Sequence, residues 1–75
     1  MTDYTPYITI NPDIRFGKPC IIDTRIAIND ILSWLASGMS HEEILNDYPE
    51  LKEEHILAAL WYAAKRESVI RIIAA

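Results

Sequence analysis

Cysteine is nearly absent from this sequence: Cys20 stands alone. An internal disulfide is therefore impossible, and a reducing compartment, the cytosol, is expected. Histidine occurs only as His41 and His55, too few to close a tetrahedral zinc site without borrowed ligands. With Gly17 and Gly38 as the two glycines, there is no Gly-rich loop to cradle a phosphate. No apolar run approaches the roughly 18 residues of a membrane span, so no membrane role is expected. Met1 is followed by Thr2, Asp3 and Tyr4, without the basic and apolar regions of a signal peptide, so the protein is expected to stay unexported. Positive charge is scarce as well. Seven Lys and Arg face eleven Asp and Glu, for a net charge of −4, so any contact with nucleic acid must use a local patch.

What is present is apolar. Of 75 residues, 51% are hydrophobic, which is too many for a disordered chain. A single domain of this size buries only about 60% of the surface of its unfolded chain, so a deep enzyme cleft is not expected. The sequence offers no paired carboxylates in an apolar setting and no Ser/His/Asp arrangement on a suitable turn. It reads as a non-catalytic protein without cofactor or metal.

Charge is distributed in blocks. Residues 1–28 balance Arg15, Lys18 and Arg25 against Asp3, Asp13 and Asp23. Residues 29–54 set Lys52 against Asp30, Glu42, Glu43, Asp47, Glu50, Glu53 and Glu54, and residues 55–75 set Lys65, Arg66 and Arg71 against Glu67. The first block predicts short strands. Tyr7–Ile10 is β-branched and aromatic, and Asn11-Pro12-Asp13 stops it. After a break at Phe16–Pro19, the stretches Cys20–Ile22 and Arg25–Ile28 flank a tight turn at Asp23-Thr24. A β arm over 7–28 results. So small a ribbon is marginal alone and is expected to pair with something else.

Three helices follow over 29–67. Asn29 or Asp30 caps the first, over about 30–37, with Ile31, Leu32, Leu35 and Ala36 at helical spacing and Gly38 as a left-handed stop. Ser40 and Glu43 form a capping box for the second, which must end before Pro49. Glu53 and Glu54 suit the positive end of the third, which continues through Ile56, Leu57, Leu60, Ala63 and Ala64. The stretch Ile56–Ala64 contains no charged residue. A helix that is apolar all round needs cover on both sides, and a domain this small supplies only one. A second copy is the expected cover, with a dimer as the simplest assembly and Ile8, Ile10, Leu57 and Trp61 as the contact residues. The tail over 68–75, rich in Val69, Ile70, Ile72 and Ile73, is either a continuation of the third helix or a strand. It docks on a partner or folds back on its own domain.

Helices two and three, joined at Tyr48–Lys52, have the outline of a helix-turn-helix. Glu50, Glu53 and Glu54 would then meet phosphates, and screening over about 8 Å does not hide them. If DNA is bound, Arg15, Lys18 and Arg25 are the contacts. Arg25 can equally pair with Asp23 or Asp30. His41 and His55 read as surface residues, and Cys20 as a packed thiol.

Together, Gly17-Lys18-Pro19-Cys20-Ile21-Ile22-Asp23-Thr24-Arg25-Ile26, Gly38-Met39-Ser40 with Glu43-Ile44-Leu45, Tyr48-Pro49-Glu50-Leu51 and Ala58–Ala64 resemble the family called domain of unknown function 433, over roughly residues 7–64. The resemblance implies a homeodomain-like fold, mainly α, and an antitoxin that binds and neutralises a PIN-like ribonuclease toxin and regulates its own promoter DNA. On physical grounds such a protein is expected to insert its apolar C-terminal segment, with Val69, Ile70, Ile72 and Ile73, along the toxin's groove while Arg66 or Arg71 meets its acidic metal-binding carboxylates. The rival expectation is an oligomeric adaptor with neither toxin nor DNA. Two positions depart from the family pattern. Asp23 stands where Gly is usual, so the turn needs Asp in a left-handed conformation or a different path. Lys52 stands where Thr or Ser is common, so the third helix lacks a capping hydroxyl and is expected to start ragged.

Overall fold

A computed structural model describes the backbone of residues 3–74 and the side chains of residues 3–66. The described chain is mostly helical, with three α-helices and one short two-stranded antiparallel sheet. The elements are β1 (Ile8–Thr9), β2 (Cys20–Ile21), α1 (Ile28–Ala36), α2 (His41–Asp47) and α3 (Glu53–Ala74), with 3-10 turns at Thr5–Tyr7 and Arg15–Gly17.

The strands are shorter than their β-branched composition predicts. Ile8 pairs with Ile21 and Thr9 with Cys20, and an isolated bridge joins Cys20 to Ala27. Tyr7 leaves the strand because Pro6 starts a 3-10 turn, in which the Tyr7 N–H donates to the Tyr4 carbonyl. Asn11 ends the ribbon as expected, its side chain accepting the Asp13 N–H at 2.9 Å. At the second turn the Thr24 N–H reaches the Ile21 carbonyl, and Asp23 takes φ +62°, the left-handed conformation that Gly ordinarily fills. The ribbon is not a projecting arm. Cys20 and Ile21 are buried, the latter in the main core, because the sheet's inner face is packed by the chain's own helices.

Helix α1 begins at Ile28, two residues earlier than expected, and its N-cap is Ala27 rather than Asn29 or Asp30. Asp30 acts from inside the first turn instead: its Oδ2 accepts the Ala27 N–H at 3.1 Å. The other end follows the sequence. Gly38 takes φ +100°, the Gly38 N–H bonds the Leu35 carbonyl and the Met39 N–H bonds the Trp34 carbonyl, a Schellman closure. The capping box of α2 is complete, with the Glu43 N–H donating to Ser40 Oγ and the Ser40 N–H to Glu43 Oε1. The Ser40 N–H first, and the Ser40 hydroxyl second, hold the Glu43 carboxyl below its ordinary pKa. The helix stops before Pro49.

Helix α3 does not start ragged. His55 Nδ1 accepts the Lys52 N–H at 2.9 Å while the His55 N–H donates to the Lys52 carbonyl, so an imidazole replaces the missing hydroxyl. The surface reading of His55 is corrected accordingly: it is partly buried, its ring edge-on to Tyr7 at 5.7 Å. Burial is the main cause of a lowered pKa, reinforced by Lys52 and opposed by Glu54. A histidine held neutral in the fold contributes stability that is complete above the ordinary value of 6.5 and declines as pH falls below it toward the lowered folded value. Urea midpoints are therefore expected to fall between pH 7.5 and pH 5, by less in His55→Gln than in the parent. An identical fall in both proteins contradicts this assignment.

The core gathers Ile21, Ile28, Ile31, Ile44, Leu51, Ile56 and Ala59, with Leu32, Trp34, Tyr48 and Tyr62 packed around it. Trp34 and Tyr48 stack at 4.0 Å between centroids, closing the α1 and α2 side. Ala58 and Ala59 are fully buried where α3 meets its neighbours, since small side chains allow close approach. The tail is helical to Ala74, which decides between helix and strand. Its contacts through Val69, Ile70, Arg71, Ile72 and Ile73 lie outside the described side chains.

Candidate functional site

The first half of α3 carries apolar residues on both its inner and outer sides. Ile56, Ala58 and Ala59 point into the core, whereas Leu57 is 37% and Leu60 41% exposed. Trp61 lies one turn beyond Leu57, so the three share a face at helical spacing. The ring of Trp61 meets Tyr4 at 6.2 Å, and Lys65 Nζ stands 5.5 Å from its centroid. The 3-10 turn at Thr5–Tyr7 packs against α3, so the ribbon brings its own apolar residues alongside. Ile8 and Ile10 join Trp61, Tyr62 and Lys65 around a hollow of about 590 Å³, and Ile10 is 63% exposed. Three of the four expected dimer contacts, Ile8, Ile10 and Trp61, thus share one hollow, with Leu57 on the adjoining helix turn.

Across Tyr62 lies a second groove, of about 580 Å³, between the Arg15–Gly17 turn, the start of α1 and the middle of α3. That turn is unusual in its backbone. Arg15 and Phe16 have φ +51° and +59°, and Gly17 follows at +79°. For residues with a side chain this conformation costs about 1–2 kcal/mol each. The offset comes from Arg15 Nη1, which donates to the Arg25 carbonyl at 2.9 Å and to Asp30 Oδ2 at 3.0 Å. One carboxylate oxygen therefore ties the turn to the start of α1. The result presents Phe16 to solvent at 98% exposure. Sequence reading missed Phe16; its signal was an aromatic among turn residues with no periodic apolar partner.

The three expected DNA contacts do not share one hollow. The Arg15 guanidinium is engaged by Asp30, so Arg25 does not form the alternative pair with that residue. Arg15 and Arg25 line a shallow depression with Asp23, Thr24 and Glu50, whereas Lys18 lines the Phe16 groove together with Arg66. Lys18 and Arg66, assigned from sequence to different tasks and distant in the chain, are thus brought to one site. Cys20 is buried, its Sγ 3.3 Å from the Lys18 carbonyl, as a packed thiol should be. His41 Nδ1 lies 2.6 Å from Glu53 Oε1 and links the starts of α2 and α3. Among the described residues no cluster of His, Cys, Asp and Glu is suited to a metal ion, and no helix is long and apolar enough to cross a membrane.

Comparison with known proteins assigns these features to a family. The profile of the protein family of unknown function DUF433 matches residues 8–63. The chain belongs to the DUF433 family. It is 38% identical over 56 residues to the uncharacterized protein y4eO of Sinorhizobium fredii (strain NBRC 101917 / NGR234), a match covering 75% of this chain and 25% of that protein. The chain therefore spans about a quarter of that relative's length. A crystal structure of a DUF433 member from Anabaena variabilis ATCC 29413 superposes with a TM-score of 0.75 at 30% identity, over 95% of this chain and 71% of that one. The matched residues include the Arg15–Gly17 turn, the Asp23 turn and the α3 face through Trp61.

Proposed function

We propose that this DUF433 chain is a non-catalytic binding protein of the antitoxin type, which dimerises and neutralises a PIN-like ribonuclease toxin. The observation that carries the reading is the apolar outer face of α3, where Leu57 and Leu60 stand exposed beside Trp61 and the exposed Ile10. Burying such a face releases about 25 cal/mol for each Å² of apolar surface, which favours assembly over a bare monomer. In this reading Ile8, Ile10, Leu57 and Trp61 meet a second copy. The later part of α3 then enters the toxin's groove, with Arg66 or Arg71 facing its metal-binding carboxylates and Val69, Ile70, Ile72 and Ile73 against its walls.

The reading extends to a homeodomain-like arrangement of α1–α3, a cytosolic location and repression of the protein's own promoter through Lys18 and Arg25. Arg15 contributes to that last role through its hold on the turn. The acidic starts of α2 and α3, with Glu42, Glu43, Glu53 and Glu54 in their first turns, disfavour entry of α3 into a DNA groove. They favour the second reading, an oligomeric adaptor with neither toxin nor DNA.

Co-expression with a PIN-like ribonuclease encoded beside the gene tests the proposal. Capture of the ribonuclease and loss of its activity are expected, and deletion of residues 67–75 is expected to abolish both while the circular dichroism of the remaining domain persists. Unchanged inhibition by the truncated chain removes the tail from the mechanism. Self-association without capture selects the adaptor, and strictly monomeric sedimentation at micromolar concentration defeats both readings.

A further inference from the structure

We propose that the groove between Phe16 and Arg66 docks an acidic segment of a partner protein, one that alternates carboxylates with apolar side chains. The inference needs the chain to work by binding proteins, and rests on that part of the reading above, but not on the partner's being a ribonuclease. Phe16 is the anchor. An almost fully exposed ring held in left-handed backbone by a dedicated arginine is costly as a mere turn, where Gly or Asn would serve, but suits a contact residue fixed before its partner arrives.

The groove floor supplies apolar surface from Pro19, Leu32 and Tyr62, and among the described residues its charged lining consists of Lys18 and Arg66. Among the described residues no acid lines it, although the whole chain carries −4. Neither cation forms an ion pair among the described residues. Two cations without an ionic partner among the described residues, set over an apolar floor, call for an occupant bearing carboxylates and apolar side chains together.

The same charges exclude the other occupants. A second copy related by a two-fold axis through this groove would bring its own Lys18 and Arg66 against these two, like charge upon like. Nucleic acid gains little here, because affinity for phosphate grows with the number of charges neutralised and the described lining offers two on an acidic protein.

The test uses the full chain and an array of short synthetic peptides in which Leu, Ile, Phe or Met alternates with Glu or Asp. The same peptides with Lys for every acid, peptides spanning residues 41–54 of this chain, and labelled oligothymidylate complete the panel. The acidic peptides are expected to be retained and their Lys counterparts not. In fluorescence anisotropy with the tightest peptide, Phe16→Asn is expected to weaken binding about tenfold or more. Because Asn tolerates left-handed backbone, the same substitution should raise the thermal midpoint by roughly 5 °C. The double variant Lys18→Glu/Arg66→Glu should invert the preference toward the Lys peptides.

Retention of no acidic peptide, affinity unchanged in Phe16→Asn, or preference for oligothymidylate overturns the proposal. Retention confined to peptides of this chain assigns the groove to a second copy and overturns it too. Sedimentation and ribonuclease capture by Phe16→Asn separate the two ideas: both can persist while the groove fails, or fail while peptide binding persists.

Discussion

Replacing Ile56 by Ala is expected to destabilise the domain by about 2–5 kcal/mol, whereas Leu57→Ala, one residue on, should cost less than about 0.5 kcal/mol. Ile56 is fully buried in the core cluster with Ile21, Ile31 and Ile44, and truncation there removes apolar contact and leaves a cavity. Leu57 is 37% exposed on the other side of the same helix, and Ala matches Leu in helix propensity. A domain of this length has a total stability of roughly 4–11 kcal/mol, so Ile56→Ala is expected to leave a sizeable unfolded fraction at 37 °C. Chemical denaturation at low protein concentration, where self-association contributes least, measures both. Equal losses at the two positions would falsify the assignment of an inner and an outer face to α3, and with it the argument that the outer face serves a partner.

Asp30→Ala is expected to lower the thermal midpoint by roughly 10 °C, from a loss of about 2 kcal/mol. The Asp30 carboxylate accepts the Ala27 N–H at the start of α1 and the Arg15 guanidinium that holds the left-handed turn. Its removal costs a helix start and an anchor together. Arg15→Ala costs less alone, because Asp30 keeps its backbone partner, and the double variant should lose about 1 kcal/mol less than the two single losses combined. Strict additivity in that cycle rules out the coupling. The same variants bear on the groove: without the anchor Phe16 is released from its fixed position, so Arg15→Ala should weaken acidic-peptide binding although Arg15 does not line the site.

The local signals in the chain were read reliably where a few neighbouring residues decide the outcome. Ser40 and Glu43 cap α2, Gly38 ends α1, Pro49 terminates α2, and Asn11 turns the ribbon, because each requirement is met within four or so residues. Exposure on the outer side of α3 was legible for the same reason. An uncharged stretch from Ile56 to Ala64 has no solvent face to offer.

The failures share the opposite cause. Ala27 has no side-chain acceptor to mark it as a cap, and the Asp30 carboxylate that takes its N–H is held by Arg15, which approaches from far along the chain. His55 reads as a surface residue until Tyr7 is seen against its ring. Composition and periodicity alone determined a small, mostly helical domain with apolar surface to spare, because helix caps and hydrophobic spacing act over a turn or two. Only the tertiary structure decided that Phe16 stands bare in left-handed backbone and that Lys18 meets Arg66 across a groove, since both depend on contacts between residues far apart in the chain, which no local pattern encodes.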